Sequence, residues 1–97
     1  MQSLATTEPE LTVRYQRHTR YYLLHLYQDL LGDWAITRVN GQIGSHLGQT
    51  HHEIVASYHA GLERIAIYSK AREKRSYTRV FTHPLVRPMM EQALKSE

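Results

Sequence analysis

Ninety-seven residues carry twelve Lys and Arg, nine Asp and Glu, seven His, seven Tyr and no Cys. A chain of this length makes one small domain, with no disulfide, thiolate metal site or thiol nucleophile to call on. No stretch approaches the roughly eighteen apolar residues of a membrane span. Met1 to Glu10 show neither a basic start nor an apolar run, so the expectation is a cytoplasmic domain without a secretory signal.

Met1 to Glu10 read as a loose leader. From Leu11 to Arg17, the side chains Leu11, Val13, Tyr15 and Arg17 alternate with Thr12, Arg14 and Gln16, which is the period of a strand. His18-Thr19 reads as a tight turn. Arg20 to Leu31 sets Tyr22, Leu24 and Leu26 on one strand face and Tyr21, Leu23, His25 and Tyr27 on the other. Apolar residues on both faces predict a central strand, with a helix as the competing assignment because leucine also favours helices. Gly32-Asp33 is a turn signal. Trp34 to Ile43 alternates again, with Ala35, Thr37, Val39 and Ile43 opposite Trp34, Ile36, Arg38 and Gln42. Gly41, Gly44 and Gly48 punctuate the loop that follows, and Gln49 to Val55 predict a fourth strand.

Near Val55 the period changes. Tyr58, Leu62, Ile65 and Ser69, joined by Ile54, Gly61 and Tyr68, follow the three-to-four spacing of a helix with one buried stripe. Ser57 is its expected N-cap. Gly61 within it costs about 1 kcal/mol relative to alanine, unless a strand packs closely there. The helix is predicted to end near Arg75-Ser76, and Tyr77 to Thr82 to form a last strand. Pro84 and Pro88 then break the chain. Pro88 suits the first turn of a short C-terminal helix with Met89, Met90, Ala93 and Leu94 on its apolar side, placed to cover the sheet or to seal a homodimer. The predicted class is α+β: an antiparallel sheet of four to five strands packed by one main helix, plus a short C-terminal helix. A domain over 11–83 lies between the leader, 1–10, and an appendage, 84–97.

The net charge of +3 is unevenly spread. Residues 1–63 hold four Arg against six acids, and residues 80–97 are neutral overall. Between them Arg64, Lys70, Arg72, Lys74, Arg75 and Arg79 face only Glu73, a net +5. Such a run is either a solvated helix end, favoured there by the helix dipole, or a site for phosphate or an acidic partner. Tyr77 stands among these cations, an interleaving that suits sugar-phosphate contact as well as it suits covering a helix.

Other chemistries find little support. The Gly41, Gly44, Gly48 spacing is not a dinucleotide fingerprint, and it reads as turn and bulge positions of positive φ. His51, His52 and His59 are the nearest thing to a metal trio. Adjacent residues on a strand point to opposite faces, however, and no established ligand spacing occurs, so neither metal nor cofactor is expected. No serine lies in a nucleophile elbow and no acid–base constellation assembles, so the chain does not read as an enzyme.

From about Thr19 to Thr82 the sequence resembles a WGR domain, the module named for a Trp-Gly-Arg triplet and found in DNA-dependent poly(ADP-ribose) polymerases and many short bacterial proteins. Thr19-Arg20-Tyr21-Tyr22-Leu23-Leu24-His25-Leu26 is similar to the family's opening strand. Trp34 lies six residues before Asn40 of the signature segment, Val39-Asn40-Gly41-Gln42-Ile43-Gly44, and Gly48-Gln49-Thr50 follows it. The helix and Tyr77 stand where the family has its helix and terminal aromatic. Thr19 replaces the family's Asn, Asn40 its Trp and Gln42 its Arg, so only Gly41 of the triplet is kept.

The resemblance implies an antiparallel sheet with one helix, and a module that binds DNA beside the signature and the helix. Carried over, Asn40 and Gln42 take the signature positions, Tyr77 the terminal aromatic, and Arg72 or Lys74 the helix-end cation. The expected function is non-enzymatic binding of DNA or another nucleic acid. The phosphates would be held by Arg38, Lys70, Arg72, Lys74, Arg75 and Arg79, with Asn40, Gln42 and Tyr77 shaping the contact. The alternative is a protein-interaction or dimerisation module that kept the scaffold and lost the DNA chemistry.

Overall fold

The computed structural model describes residues 8–83. The expected C-terminal helix, the boundary at 84 and residues 1–7 of the leader lie outside the described residues. Five strands and one helix follow in chain order: β1 (Leu11–Arg17), β2 (Arg20–Gln28), β3 (Trp34–Gln42), β4 (Gly48–Val55), α1 (Tyr58–Lys74) and β5 (Thr78–His83). The sheet is antiparallel throughout, in the order β4-β3-β2-β1-β5. The class is α+β, and β2, the strand with two apolar faces, is the central one.

Directly paired residues share a sheet face, so the register sorts the side chains into rows. Under α1 one row runs Glu53–Ile36–Leu26–Leu11 and the next His51–Arg38–Leu24–Val13–Thr82. A third runs Gln49–Asn40–Tyr22–Tyr15–Arg79, and the last is Gln42–Arg20–Arg17. Leu11, Val13, Tyr15, Tyr22, Leu24, Leu26, Trp34 and Ile36 form the sheet half of the core; Tyr58, Leu62 and Ile65 form the helix half. The opposite face carries Tyr21, Leu23, His25 and Tyr27, all half-buried.

Two strand assignments are corrected. β2 ends at Gln28 rather than Leu31, because Asp29 folds the chain back: its side-chain Oδ1 accepts the N–H groups of Leu31 and Asp33 at 2.9 Å each. Ile54 does not join the helix stripe. It lies in β4 opposite Ala35 on the uncovered face, where period two, not period three to four, sets its direction.

Both ends of α1 are closed. Ser57 Oγ accepts the N–H of Ala60 at 3.0 Å, the expected N-cap. At the other end Ser76 N–H donates to the Glu73 carbonyl and Tyr77 N–H to the Arg72 carbonyl, both at 3.0 Å. This is a Schellman closure, and it holds Ser76 at φ 70, where glycine is the usual occupant. Gly61 has the close strand that justifies it: a Cβ there would stand 2.5 Å from Leu26 Cδ1. Of Gly41, Gly44 and Gly48, expected at positive φ, only Gly44 adopts it. Gly41 and Gly48 instead pair across β3 and β4 in extended backbone, and the Tyr21 side chain packs on both.

Ser76→Gly should stabilise the domain by about 1 kcal/mol by removing a left-handed conformation from a residue with a Cβ, read as a higher urea midpoint. A second expectation concerns pH. Burial, foremost, raises the Tyr15 phenol pKa from its ordinary 10.0, and its hydroxyl donates to Glu73 Oε2 at 3.3 Å. Stability is therefore intact below the unfolded value near 10.0 and falls as pH rises towards the higher folded value. Tyr15→Phe should shallow that alkaline decline in a urea titration repeated from neutral to high pH.

Candidate functional site

The expected site residues separate into three groups. Arg38 belongs to a cluster that ties β3 and β4 to α1. Its Nε lies 3.9 Å from Glu53 Oε1 and its guanidinium 4.7 Å above the Tyr68 ring. Arg64 joins them, donating from Nε to Glu53 Oε2 at 3.1 Å and from Nη2 to the Tyr68 hydroxyl at 2.7 Å. Tyr68 in turn donates a short hydrogen bond to Glu53. Burial, then the bond to Glu53 and its negative charge, push the Tyr68 phenol pKa upwards. Two guanidiniums share one carboxylate here, so the cluster keeps one net positive charge, with Arg64 hydrogen-bonded to Glu53 and Arg38 held over the Tyr68 ring.

Lys70 and Lys74 form the second group. They stand one turn apart on the outer side of α1, with exposed Ile67, and do not face the sheet.

The third group lies where α1 ends. Arg72 sits over Tyr22, its Cζ 3.8 Å from the ring centroid, and 5.4 Å from that of Tyr77. Tyr77 is thus half-buried against the core beneath a cation from the helix, rather than standing free among Lys74, Arg75 and Arg79. Arg75 caps the helix and is exposed, while Arg79 is half-buried and pairs with Tyr15 in the register. Beyond Tyr22 the next row of the same face, Gln42–Arg20–Arg17, is exposed throughout.

Beside this row opens a recess of about 420 Å³, lined by Arg20, Asn40, Gln42, Ser45 and Gln49 with Gly41, Leu47 and Gly48. The two signature positions, Asn40 and Gln42, therefore share one cavity with a guanidinium, a hydroxyl and a third amide. The arrangement offers hydrogen-bond donors and positive charge to an anion. Arg17, Arg20, Lys74 and Arg75 make no salt bridge among the described residues. Glu73, the acid within this basic run, accepts the Tyr15 hydroxyl.

No family model, curated protein or solved structure matches the chain.

Charge density alone missed Arg17, Arg20 and Gln49, because the first two lie in a part of the chain that is acidic overall. Alternation carried the signal for both arginines: Arg17 is in phase with Val13 and Tyr15, and Arg20 with Tyr22 and Leu24. His51 and His52 point to opposite faces of β4, as a strand requires; His52 Nδ1 lies 2.9 Å from Thr37 Oγ1 on the uncovered side.

Truncating Arg72 should test its place in the fold. Arg72→Ala should cost about 1–2 kcal/mol in urea unfolding, the worth of a half-buried cation over two rings. Arg72→Lys should recover only part of it, since an ammonium lacks the flat face that stacks on Tyr22.

Proposed function

We propose that this chain is a nucleic-acid-binding module that holds DNA phosphates at its basic end. One observation carries the reading: the exposed row Gln42–Arg20–Arg17 and the recess beside it stand next to the last turn of a helix bearing Arg72, Lys74 and Arg75. Cations from β1, β2 and α1 thereby gather at one end of the domain, where among the described residues Glu73 is the one carboxylate in the last helical turn. The likeness to WGR domains supports the same reading, because Asn40 and Gln42 of the altered triplet line this recess. Their amides donate hydrogen bonds to phosphate without adding charge. Arg20 supplies the planar guanidinium that the triplet no longer provides. Arg38, held by Glu53 and Tyr68, supports the strand, while Lys70 and Lys74 add longer-range attraction from the outer side of the helix.

Duplex DNA titrated at two salt concentrations tests this. With about four phosphates engaged, affinity should fall about a hundredfold between ~50 and ~200 mM salt. Arg20→Glu, and separately Lys74→Glu with Arg75→Glu, should each weaken binding at least tenfold at low salt. Arg38→Gln should change affinity less than Arg20→Glu does. The alternative, an interaction module without nucleic-acid binding, requires no retention of DNA even at low salt.

A further inference from the structure

The opposite end of the sheet is built quite differently. Between β2 and β3 the chain reverses over Asp29–Asp33. Asp29 N–H donates to the Asp33 carbonyl at 2.8 Å, and Gly32 N–H to the Asp29 carbonyl at 3.0 Å. Asp29 Oδ1 takes the N–H groups of Leu31 and Asp33 at 2.9 Å each. Gln28 Nε2 donates to the Gly32 carbonyl at 2.9 Å, and Gly32 supplies the positive φ of 90. Five hydrogen bonds thus fix a five-residue turn.

What this turn displays is two leucines. Leu30 is 98% exposed and Leu31 83%, more than any other large apolar side chain among the described residues. The backbone needs Asp29 and Gly32 for its shape and asks nothing of positions 30 and 31, where a polar residue would serve and avoid the exposure. Ile54, 63% exposed and paired with Ala35 at the same end of the sheet, extends the apolar surface onto the uncovered face. Leucines held on an already ordered turn lose little further freedom when they enter a pocket, which is how an anchor is built.

The charge around them narrows the occupant. The turn's ionisable groups, Asp29 and Asp33, are both carboxylates, and Glu10, whose Oε1 lies 3.3 Å from His25 Nε2, leads into β1, whose Leu11 pairs with Leu26 at this end. An anionic bilayer surface repels such a rim. The chain's own basic end has the right sign, but its recess sets a guanidinium, a hydroxyl and three amides beside the single large apolar side chain of Leu47, which is a mixed rather than an apolar pocket. We propose that the Leu30–Leu31 turn is an anchor for a second protein, one whose surface has an apolar pocket rimmed by lysine or arginine. The inference does not depend on the nucleic-acid reading, since it concerns the other end of the domain.

A random peptide library displayed on phage, selected on the full chain and counter-selected on a Leu30→Ser/Leu31→Ser double variant, tests it. That variant should melt at the wild-type temperature, because neither leucine is packed. Surviving peptides should combine large apolar residues with Lys or Arg, and should bind the double variant at least tenfold more weakly. Asp33→Lys reverses the rim charge while leaving the turn's hydrogen bonds, which use only the Asp33 backbone, and should weaken the same peptides several-fold. The proposal is overturned if no peptide survives counter-selection, if survivors are acidic, or if Asp33→Lys leaves their binding unchanged. It is equally overturned if the leucines prove to drive self-association in a sedimentation series or binding to phosphatidylserine vesicles.

Discussion

The seating of α1 depends on the space that Gly61 leaves for a Leu26 methyl group. Any side chain at that position would have to displace Leu26 from the middle of the core, since a Cβ would stand 2.5 Å from its Cδ1. Three turns further on, Arg72 lies on the Tyr22 ring. These two contacts, both with the central strand, fix where the helix crosses the sheet. The rest follows from them: Tyr58 meets Trp34 at the helix start, with ring centroids 4.9 Å apart. Tyr15 reaches Glu73 near the helix end, and the row beyond Tyr22 is left bare. An exposed basic row beside the last turn of the helix is therefore a product of helix placement rather than an isolated surface feature.

Much of this arrangement was legible in the residues. The two apolar faces of β2 marked it as central, alternation set the other strands, and the change of period near Val55 marked the helix with Ser57 at its start. Local chemistry failed where a nearby carboxylate or an edge position intervened. Asp29 ended β2 three residues early, and Ile54 followed its strand rather than the helix stripe. The glycines were harder still. That Gly41 and Gly48 serve a tyrosine from a neighbouring strand is a long-range fact, and spacing along the chain carries no trace of it.

The site was legible only in part, for the same reason. A run of cations in sequence becomes a ring of directions on a helix, so Lys70 and Lys74 turn outward while Arg72 turns onto the sheet. Arg38 has a carboxylate and a tyrosine waiting for it on elements far away in sequence. Conversely, Arg17 and Arg20 gain their importance from the tight turn at His18-Thr19, which sets them side by side at the end of adjacent strands. Charge counted by segment pointed to the end of α1. Register was needed to say which side chains share it.

The domain thus has two ends of opposite chemistry: arginines and amides around a recess at one, and a fixed turn carrying two leucines between carboxylates at the other. The most direct measurement of the central claim is a ¹H–¹⁵N correlation spectrum followed during titration with a short duplex at low salt. If the basic end holds DNA, the amides of Arg17, Arg20, Asn40, Gln42 and Gln49 and the last turn of α1 shift together, with Leu30 and Leu31 unmoved. Shifts confined to the uncovered face of the sheet, or none at all at saturating duplex, would contradict it.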